Sequence, residues 1–360
     1  MRVRAFDWLR GLAVLVMIQT HSLVLLRPEL RKDRLFDALQ WIDGLVAPAF
    51  ILAAGFSLAL VQVRAASGQG SRSARLRRTL RRLFEVLFVA TLVNWMWFPI
   101  FREPRWILRV DILHCIGLAL LIALPALFLL APRPRLLRWV ALALAALVFG
   151  LSPYGEQVHG PWAMLANGST GAVFPLLPWA GYVYLGAAIG ACAGDARATA
   201  RWLFGLAIAG IVLWVLTPQV AALYPPHNFW VTDPANHARR WTQVCLIALA
   251  LLGAEKLWQG SWQASLPVRF VEVFGSSSLA AYFFHQMLLY FRIFGFSFEH
   301  LWGSSCSWGR YALLLALLIA MTFALTVLVD RIYRLFDRGS QARPASVSAS
   351  GLYSSPTQPS

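Results

Sequence analysis

The chain has 360 residues, of which 59% are hydrophobic and only 13% are charged, and its mean hydropathy is +0.61. A soluble domain carries about 25% charged residues, so this composition excludes an ordinary water-soluble fold and indicates a protein that crosses a membrane several times. The net charge of +16 comes almost entirely from arginine, without a nucleic-acid motif. We therefore attribute the charge to membrane topology and anionic lipid, with no nucleic-acid partner.

Ten apolar segments are long enough to be membrane-spanning helices, because a segment in lipid must satisfy its own backbone hydrogen bonds. They lie near 7–26, 41–63, 80–100, 111–131, 136–151, 172–192, 201–217, 240–258, 270–291 and 310–331. The loops on one side, with both chain ends, hold about twice as many Lys and Arg as the loops on the other side, which predicts cytoplasmic termini. The predicted fold is an all-α, polytopic helical bundle over residues 1–335, followed by a disordered cytoplasmic tail, 336–360.

The first span carries three ionisable residues on one face. With ~100° per residue, His21 lies about 20° from Arg10 and about 40° from Asp7 around the helix, so the three share one face, and Arg10 and His21 are separated by about 16 Å along the helix. An ionisable group in a span usually faces protein or a water-filled cavity. We interpret the three as a functional stripe; the alternative is an Asp7–Arg10 ion pair at the interface and a His21 hydrogen bond to another helix.

Further polar residues collect at the predicted outer side. Asp111 and His114 share a face at the start of the fourth span, and His285 lies in the outer half of the ninth. Pro175 and Pro178 interrupt the start of the sixth span, which is tolerated where a broken helix lines a cavity. Together they predict a polar cavity that opens outward, although each histidine alone could simply bond a neighbouring helix.

A histidine in a low-dielectric cavity can act as a general base on a hydroxyl or amine, with a carboxylate such as Asp43 or Asp111 orienting its ring. The arginine-rich loop 64–82, including Arg78 and Arg82, could hold a phosphorylated donor or could only set the topology. The four cysteines are far apart and no metal-ligand spacing occurs, so we predict neither disulfides nor a metal.

Several motifs resemble, in order, those of the heparan-alpha-glucosaminide N-acetyltransferase catalytic family, within the wider acyltransferase-3-like membrane enzymes. They are Arg4–Asp7 with Arg10-Gly11, the run Asp111–Gly117, Phe174–Trp179 with Leu185-Gly186, and Gly275–His285, so the resemblance covers roughly 2–330. The family's lysosomal enzyme has Asn at the position of His21, whereas the acyltransferase-3 pattern has His there.

The resemblance implies a bacterial, multi-pass inner-membrane acyltransferase. It would move an acyl group, typically acetyl, from cytoplasmic acyl-CoA to a carbohydrate amine or hydroxyl on the periplasmic side. His21 would be the general base, and Asp111, His114 and His285 would line the site. Asp7, Arg10, Arg78 and Arg82 would contact the donor.

Two other functions are compatible with the same residues. A transporter or flippase for an anionic or glycan-lipid substrate would need no acyl donor, and a non-catalytic assembly component would need no His21. The residues leave homo-oligomerisation open.

Overall fold

The computed structural model describes residues 3–68, 71–97, 109–192, 195–257, 265–292 and 294–341, and within these ranges the regular elements are helices. The α-helices, in chain order, are α1 (Arg4–Ser22), α2 (Arg34–Asp43), α3 (Val46–Ala66), α4 (Arg72–Trp97), α5 (Ile112–Leu130), α6 (Pro134–Gly155), α7 (Ala163–Ala166), α8 (Leu176–Gly190), α9 (Ala196–Val215), α10 (Thr217–Ala221), α11 (Pro234–Leu257), α12 (Leu266–Ser276), α13 (Ser278–Tyr290), α14 (Phe298–Trp302) and α15 (Trp308–Gln341). Short 3-10 turns at Leu23–Leu25 and Pro28–Lys32 join α1 to α2.

The all-helical prediction is confirmed for the described residues, and six of their helical segments are long and apolar enough to cross a membrane. These are Arg4–Leu25, Arg34–Ala66, Ile112–Leu130, Pro134–Gly155, Ala196–Val215 and Trp308–Tyr333. Each of the other predicted spans also coincides with helix, but α4 and α11 carry polar residues, α8 is short, and Ser277 separates α12 from α13. The count of ten spans and the cytoplasmic termini stay predictions.

Helix α1 lies at the centre of the bundle, packed against α3, α11, α12 and α13. Its first two backbone N–H groups donate to the carboxylate of Glu255, the Arg4 and Ala5 nitrogens each at 3.0 Å. An anion at this position satisfies donors that have no partner within the helix and opposes the positive end of the helix dipole. Glu255 therefore fixes the end of α1 opposite His21.

Glycines let two helix pairs approach almost to backbone contact. A Cβ on Gly275 of α12 would lie 1.9 Å from the Asp7 carbonyl oxygen of α1, and a Cβ on Gly11 would lie 2.1 Å from the Val271 carbonyl oxygen. Similarly, a Cβ on Gly186 of α8 would lie 1.9 Å from the carbonyl oxygen of a residue in α3. Small residues at such crossings are typical of helices that pack within membranes.

Helix α8 is interrupted where the two prolines predict. Leu177 has an extended backbone (φ −89°, ψ 122°), so the regular helix follows Pro178.

At the C-terminal end of the described residues, α15 continues to Gln341, past the predicted boundary at residue 335. The rest of the predicted tail, 342–360, lies outside the described residues.

Candidate active site

A cavity of about 280 Å³ lies at one end of the bundle. It is lined by Met17, Thr20, His21, Asp43, Val46, Ala47, Val93, Asn94, Arg109, Asp111, Ile112, Val173, Phe174, Tyr282 and Gln286. These residues come from the C-terminal ends of α1 and α4, from α13, and from the N-terminal ends of α3, α5 and α8 with the residues that precede them. The alternating helix directions therefore bring distant parts of the sequence to the same end of the bundle.

His21 forms part of the cavity wall, and α13 holds its ring. Its Nδ1 lies 2.8 Å from the Nε2 of Gln286, and its backbone carbonyl accepts a 3.2 Å hydrogen bond from the Tyr290 hydroxyl. The His285 ring packs edge-to-face against it, with centroids 5.2 Å apart and an interplanar angle of 85°. Nδ1 is thus occupied, and Nε2 is the ring nitrogen that has no hydrogen bond among the described residues.

His285 is fully buried and contacts residues of the cavity wall without lining the cavity itself. Its Nδ1 donates a 3.0 Å hydrogen bond to the Ala281 carbonyl, which leaves Nε2 as an acceptor without a partner among the described residues. The ring also packs against Tyr282, with centroids 5.4 Å apart. The structure therefore places His285 against the His21 ring, and His285, which the sequence predicts to line the site, does not itself line the cavity.

Asp111 joins two helices at the cavity. Its Oδ1 caps α5 by accepting the Ile112 backbone N–H at 2.7 Å, and its Oδ2 accepts the Tyr282 hydroxyl at 3.1 Å. The preceding Val110 carbonyl accepts the Val173 and Phe174 backbone N–H groups, which ties the start of α5 to the start of α8. A carboxylate in this wall would stabilise the positive charge that His21 acquires when it takes a proton.

Asp43 ends α2 and places a second carboxylate in the wall. It lies beside Thr20, whose hydroxyl donates to the Val16 carbonyl at 2.8 Å. Neither oxygen of Asp43 has a hydrogen bond of normal geometry among the described residues. Because buried carboxylate oxygens are normally hydrogen-bonded, this group is suited to bind a donor group of a substrate, such as a sugar hydroxyl or ammonium.

The remaining predicted site residues do not line the cavity. His114 turns toward α4, with its Nε2 3.4 Å from the Thr91 hydroxyl. Asp7 and Arg10 form an ion pair near the other end of α1. The roles assigned to these three residues stay predictions, without support from the cavity.

Arg78 and Arg82 are exposed and four residues apart on α4, so they share one helix face. About 24 Å of helix separates Arg78 from the cavity-lining Asn94 at ~1.5 Å per residue. Since α1 and α4 both end at the cavity, these two arginines and Arg10 belong to the opposite end of the bundle. Arg10 lies about 10 Å along α1 from the nearest cavity residue of that helix, Met17. Between them, Ala13 and Val14 are buried in the packed core.

A second group of polar residues joins the loop before α11 to the first turn of α11 and to α8. The Tyr182 hydroxyl donates to Nδ1 of His237 at 2.8 Å, and Nε2 of His237 donates to the Val231 carbonyl at 2.9 Å. His227 donates from Nδ1 to the Pro225 carbonyl at 2.7 Å and from Nε2 to Asp233 at 2.9 Å. The two histidines therefore hold the loop and stand apart from His21.

The surroundings of His227 favour its protonated form. Burial of the ring disfavours the charged form, but the Pro225 carbonyl and the Asp233 carboxylate together raise the pKa of His227 above its ordinary value. Asp233 is fully buried and also caps α11, accepting the Ala235 and Asn236 backbone N–H groups. Asp233 therefore joins His227 of the loop to the first turn of α11 through hydrogen bonds.

The described residues hold no cluster of three or more His, Cys, Asp or Glu side chains that could bind a metal ion. What they do hold is an apolar helical bundle with a histidine, two carboxylates and an arginine around a small cavity. This arrangement defines a membrane protein with an internal polar site.

The comparison with known families identifies which membrane protein class this is. The family model for the catalytic region of heparan-alpha-glucosaminide N-acetyltransferase matches residues 2–217, more than half of the chain. The chain therefore belongs to this family of membrane acetyltransferases. The search of the curated proteins gave no match.

The matched region supplies most of the cavity wall, including His21 and Asp111. Tyr282, His285 and Gln286 lie beyond its end at residue 217, yet they hold His21 and Asp111 in place. The cavity wall is therefore complete only when α13 is included, beyond the matched residues.

Sequence reasoning missed two wall residues whose signals were present. Asn94 is a polar residue near the end of an apolar segment, and its side-chain amide donates to the Arg109 carbonyl at 2.8 Å. Gln286 directly follows His285 in an apolar segment. Both are amides in predicted spans, and the interpretation gave weight only to ionisable residues there.

Proposed function

We propose that this protein is an acyl-CoA-dependent acetyltransferase of a bacterial inner membrane. It would take the acetyl group from cytoplasmic acetyl-CoA or another acyl-CoA and transfer it to a carbohydrate amine or hydroxyl on the periplasmic side. The observation that carries the proposal is the position of His21, which lies in the wall of a cavity with two carboxylates in a chain that belongs to an acetyltransferase family.

The chemistry follows from the arrangement of these groups. The unoccupied ring nitrogen of His21 would take the proton of the acceptor as its nitrogen or oxygen attacks the thioester carbonyl. The carbon–sulfur bond then breaks, and the departing thiolate takes the proton back from His21. Asp111 would stabilise the transient imidazolium, and Asp43 would hold the acceptor.

The dimensions limit which part of the donor reaches the site. Pockets for drug-sized ligands have volumes of about 300–1,000 Å³, so a cavity of about 280 Å³ suits an acyl group beside one sugar and not a whole coenzyme. The charged part of the donor would therefore stay near the basic end of the bundle, at Arg10, Arg78 and Arg82. To bring the thioester to His21, the packing around Ala13 and Val14 would have to open.

The test is acetyl transfer by purified protein in proteoliposomes, with radiolabelled acetyl-CoA and either glucosamine or glucose as acceptor. We expect wild-type transfer and its loss in His21→Ala. His159→Ala is the matched control, because His159 is exposed in a loop and does not line the cavity. Full activity of a correctly folded His21→Ala protein would refute the assignment. If the wild type neither transfers acetyl nor binds acetyl-CoA, the transporter alternative is favoured.

A further inference from the structure

Gln286 makes a buried contact whose direction determines what His21 can do. The side chain is 4% exposed, and its Nε2 lies 2.8 Å from Nδ1 of His21. Its Oε1 is buried and has no hydrogen-bond partner within the described part of the chain. A buried carbonyl oxygen without a hydrogen-bond donor is destabilising, so this orientation of the amide is unfavourable on its own.

A 180° rotation of the amide exchanges its oxygen and nitrogen, and the two orientations have opposite consequences for His21. If the amide nitrogen faces His21, it donates to Nδ1, and a neutral ring must then carry its proton on Nε2. If the oxygen faces His21, it accepts a proton from Nδ1, and Nε2 keeps its lone pair. Only the second tautomer presents a base to the cavity.

We propose that Gln286 is a positioning residue that accepts the Nδ1 proton of His21 and thereby makes Nε2 the basic nitrogen in the cavity. This inference rests on the proposed function, in which His21 is the general base. A neutral amide would serve here in place of a carboxylate, so that the ring is oriented without a charged partner on Nδ1.

The surrounding helix gives this contact a rigid frame. Gln286 is four residues after Tyr282, so both side chains lie on one face of α13. Tyr282 is bonded to Asp111, and Tyr290, four residues further along, is bonded to the His21 carbonyl. Hydrogen bonds therefore hold this face of α13 one turn before and one turn after Gln286. The main freedom left to the amide group is rotation about its own axis.

Two substitutions separate the proton-accepting role from mere packing. In Gln286→Glu, a carboxylate can still accept the Nδ1 proton, and its negative charge favours the imidazolium. We expect at least about a third of the wild-type kcat, with the acidic limb of the kcat–pH profile moved upward by about one pH unit. In Gln286→Leu the shape is similar but no acceptor remains, so we expect kcat to fall about 100-fold while KM for acetyl-CoA stays within about twofold.

The control is Gln243→Leu in α11, which removes another glutamine with a buried, unpartnered Oε1 that does not line the cavity. It should keep the wild-type kcat and pH profile. If Gln286→Glu and Gln286→Leu are folded and equally inactive, or if Gln286→Leu remains active, the proposal is overturned.

A second measurement does not depend on acetyl transfer. Diethylpyrocarbonate acylates an imidazole at its unprotonated nitrogen, and peptide mass spectrometry gives the rate at His21. At a pH where the ring is neutral, Gln286→Leu should slow this reaction about threefold. Without the Gln286 acceptor, the ring exchanges between its two neutral tautomers, and Nε2 is unprotonated in only one of them. A faster reaction would mean that Gln286 donates to Nδ1, which overturns the proposal. If the wild type shows no transfer but the slowing occurs, the proposed function fails while the Gln286 contact stands.

Discussion

The hydroxyl of Tyr282 donates to Oδ2 of Asp111 over 3.1 Å and joins helices whose residues are 171 positions apart in the chain. Both side chains line the cavity, and the other carboxylate oxygen of Asp111 caps α5. Asp111 thus caps α5 through one oxygen, and in the proposed function its negative charge would also stabilise the protonated form of His21. Substitutions can separate these roles.

We predict that Asp111→Asn lowers activity more than stability. Asparagine is as good an N-cap as aspartate, so α5 should stay capped, but the negative charge beside His21 is lost. We expect kcat to fall about tenfold, equivalent to ~1.4 kcal/mol, with an apparent Tm close to that of the wild type. Acetyl transfer and thermal unfolding in detergent are the measurements.

The control for the structural role is Asp111→Ala, which also loses the cap and should cost about a further 1 kcal/mol of stability. Tyr282→Phe keeps the carboxylate and removes its interhelical hydrogen bond, so it should lower stability more than activity. Equal kcat values for Asp111→Asn and the wild type would contradict the electrostatic role.

A second prediction concerns the close approach of α1 and α12. In Gly275→Ala the new Cβ would collide with the backbone of Asp7, which cannot yield as a flexible side chain can. The helices must separate, and we expect a loss of about 2–4 kcal/mol or failure to accumulate in the membrane. Because α12 and α13 run alongside α1 from Gly275 to Gln286, surviving protein should also lose acetyl transfer.

Gly253→Ala in α11 is the matched control, since a Cβ there meets no atom within 4 Å. Alanine is about 1 kcal/mol better than glycine in a helix interior, so this variant should be as stable as the wild type or more so. Comparable losses in both variants would mean that the crossing at Gly275 is not the cause.

The helical content was predictable from the sequence because apolar length alone forces helix in lipid. The position of His21 was predictable for a related reason: an ionisable residue in a span must face protein or a cavity. The interruption of α8 followed from the geometry of Pro175 and Pro178. These features depend on local sequence, which needs no knowledge of the neighbouring helices.

The contacts that complete the site could not be predicted in this way. The spacing of Asp111 and His114 along one helix is compatible with a contact of Asp111 to His114 and with a contact of Asp111 to Tyr282. Which contact forms depends on the rotation of α5 about its axis. Packing turns His114 toward Thr91 instead. The ion pair of Asp7 and Arg10 was one of two interpretations of the stripe, and the sequence could not choose between them.

A third prediction concerns Arg78 and Arg82. If they bind the phosphates of the donor, Arg78→Gln and Arg82→Gln should raise KM for acetyl-CoA several-fold at low salt and leave kcat unchanged. The effect should shrink at high salt, because both side chains are exposed and salt screens exposed charges. Initial rates at varied acetyl-CoA and ionic strength measure this.

Acetyl-pantetheine provides the control substrate, because it keeps the thioester and lacks the phosphates. Both variants should use it as well as the wild type does. Arg201→Gln, an exposed arginine at the start of α9, controls for a general change in charge. If neither variant alters KM for acetyl-CoA, the arginines serve topology and lipid contact only.

The last prediction is a pH dependence of stability that arises from His227. Its pKa in the folded protein is raised above the ordinary value of about 6.5 by the Pro225 carbonyl and Asp233, which outweigh the opposing effect of burial. Its contribution to stability is therefore complete below about pH 6.5, where both states bind the proton, and is lost as the pH rises through the folded pKa. We expect the apparent Tm of the wild type, relative to His227→Gln, to fall by ~2 °C over this interval.

The measurement is thermal unfolding in detergent between about pH 5.5 and 8.5, with the variant curve subtracted so that other titrating groups cancel. Asp233→Asn should lose the same pH dependence, because it removes the charge and keeps an N-cap for α11. His159→Gln should superimpose on the wild type, since His159 is exposed and outside this network. A wild-type advantage over His227→Gln that grew with pH would show that the neutral ring is the stabilising form. The two hydrogen bonds to acceptors at 2.7 and 2.9 Å argue against that outcome, because only the imidazolium can donate both.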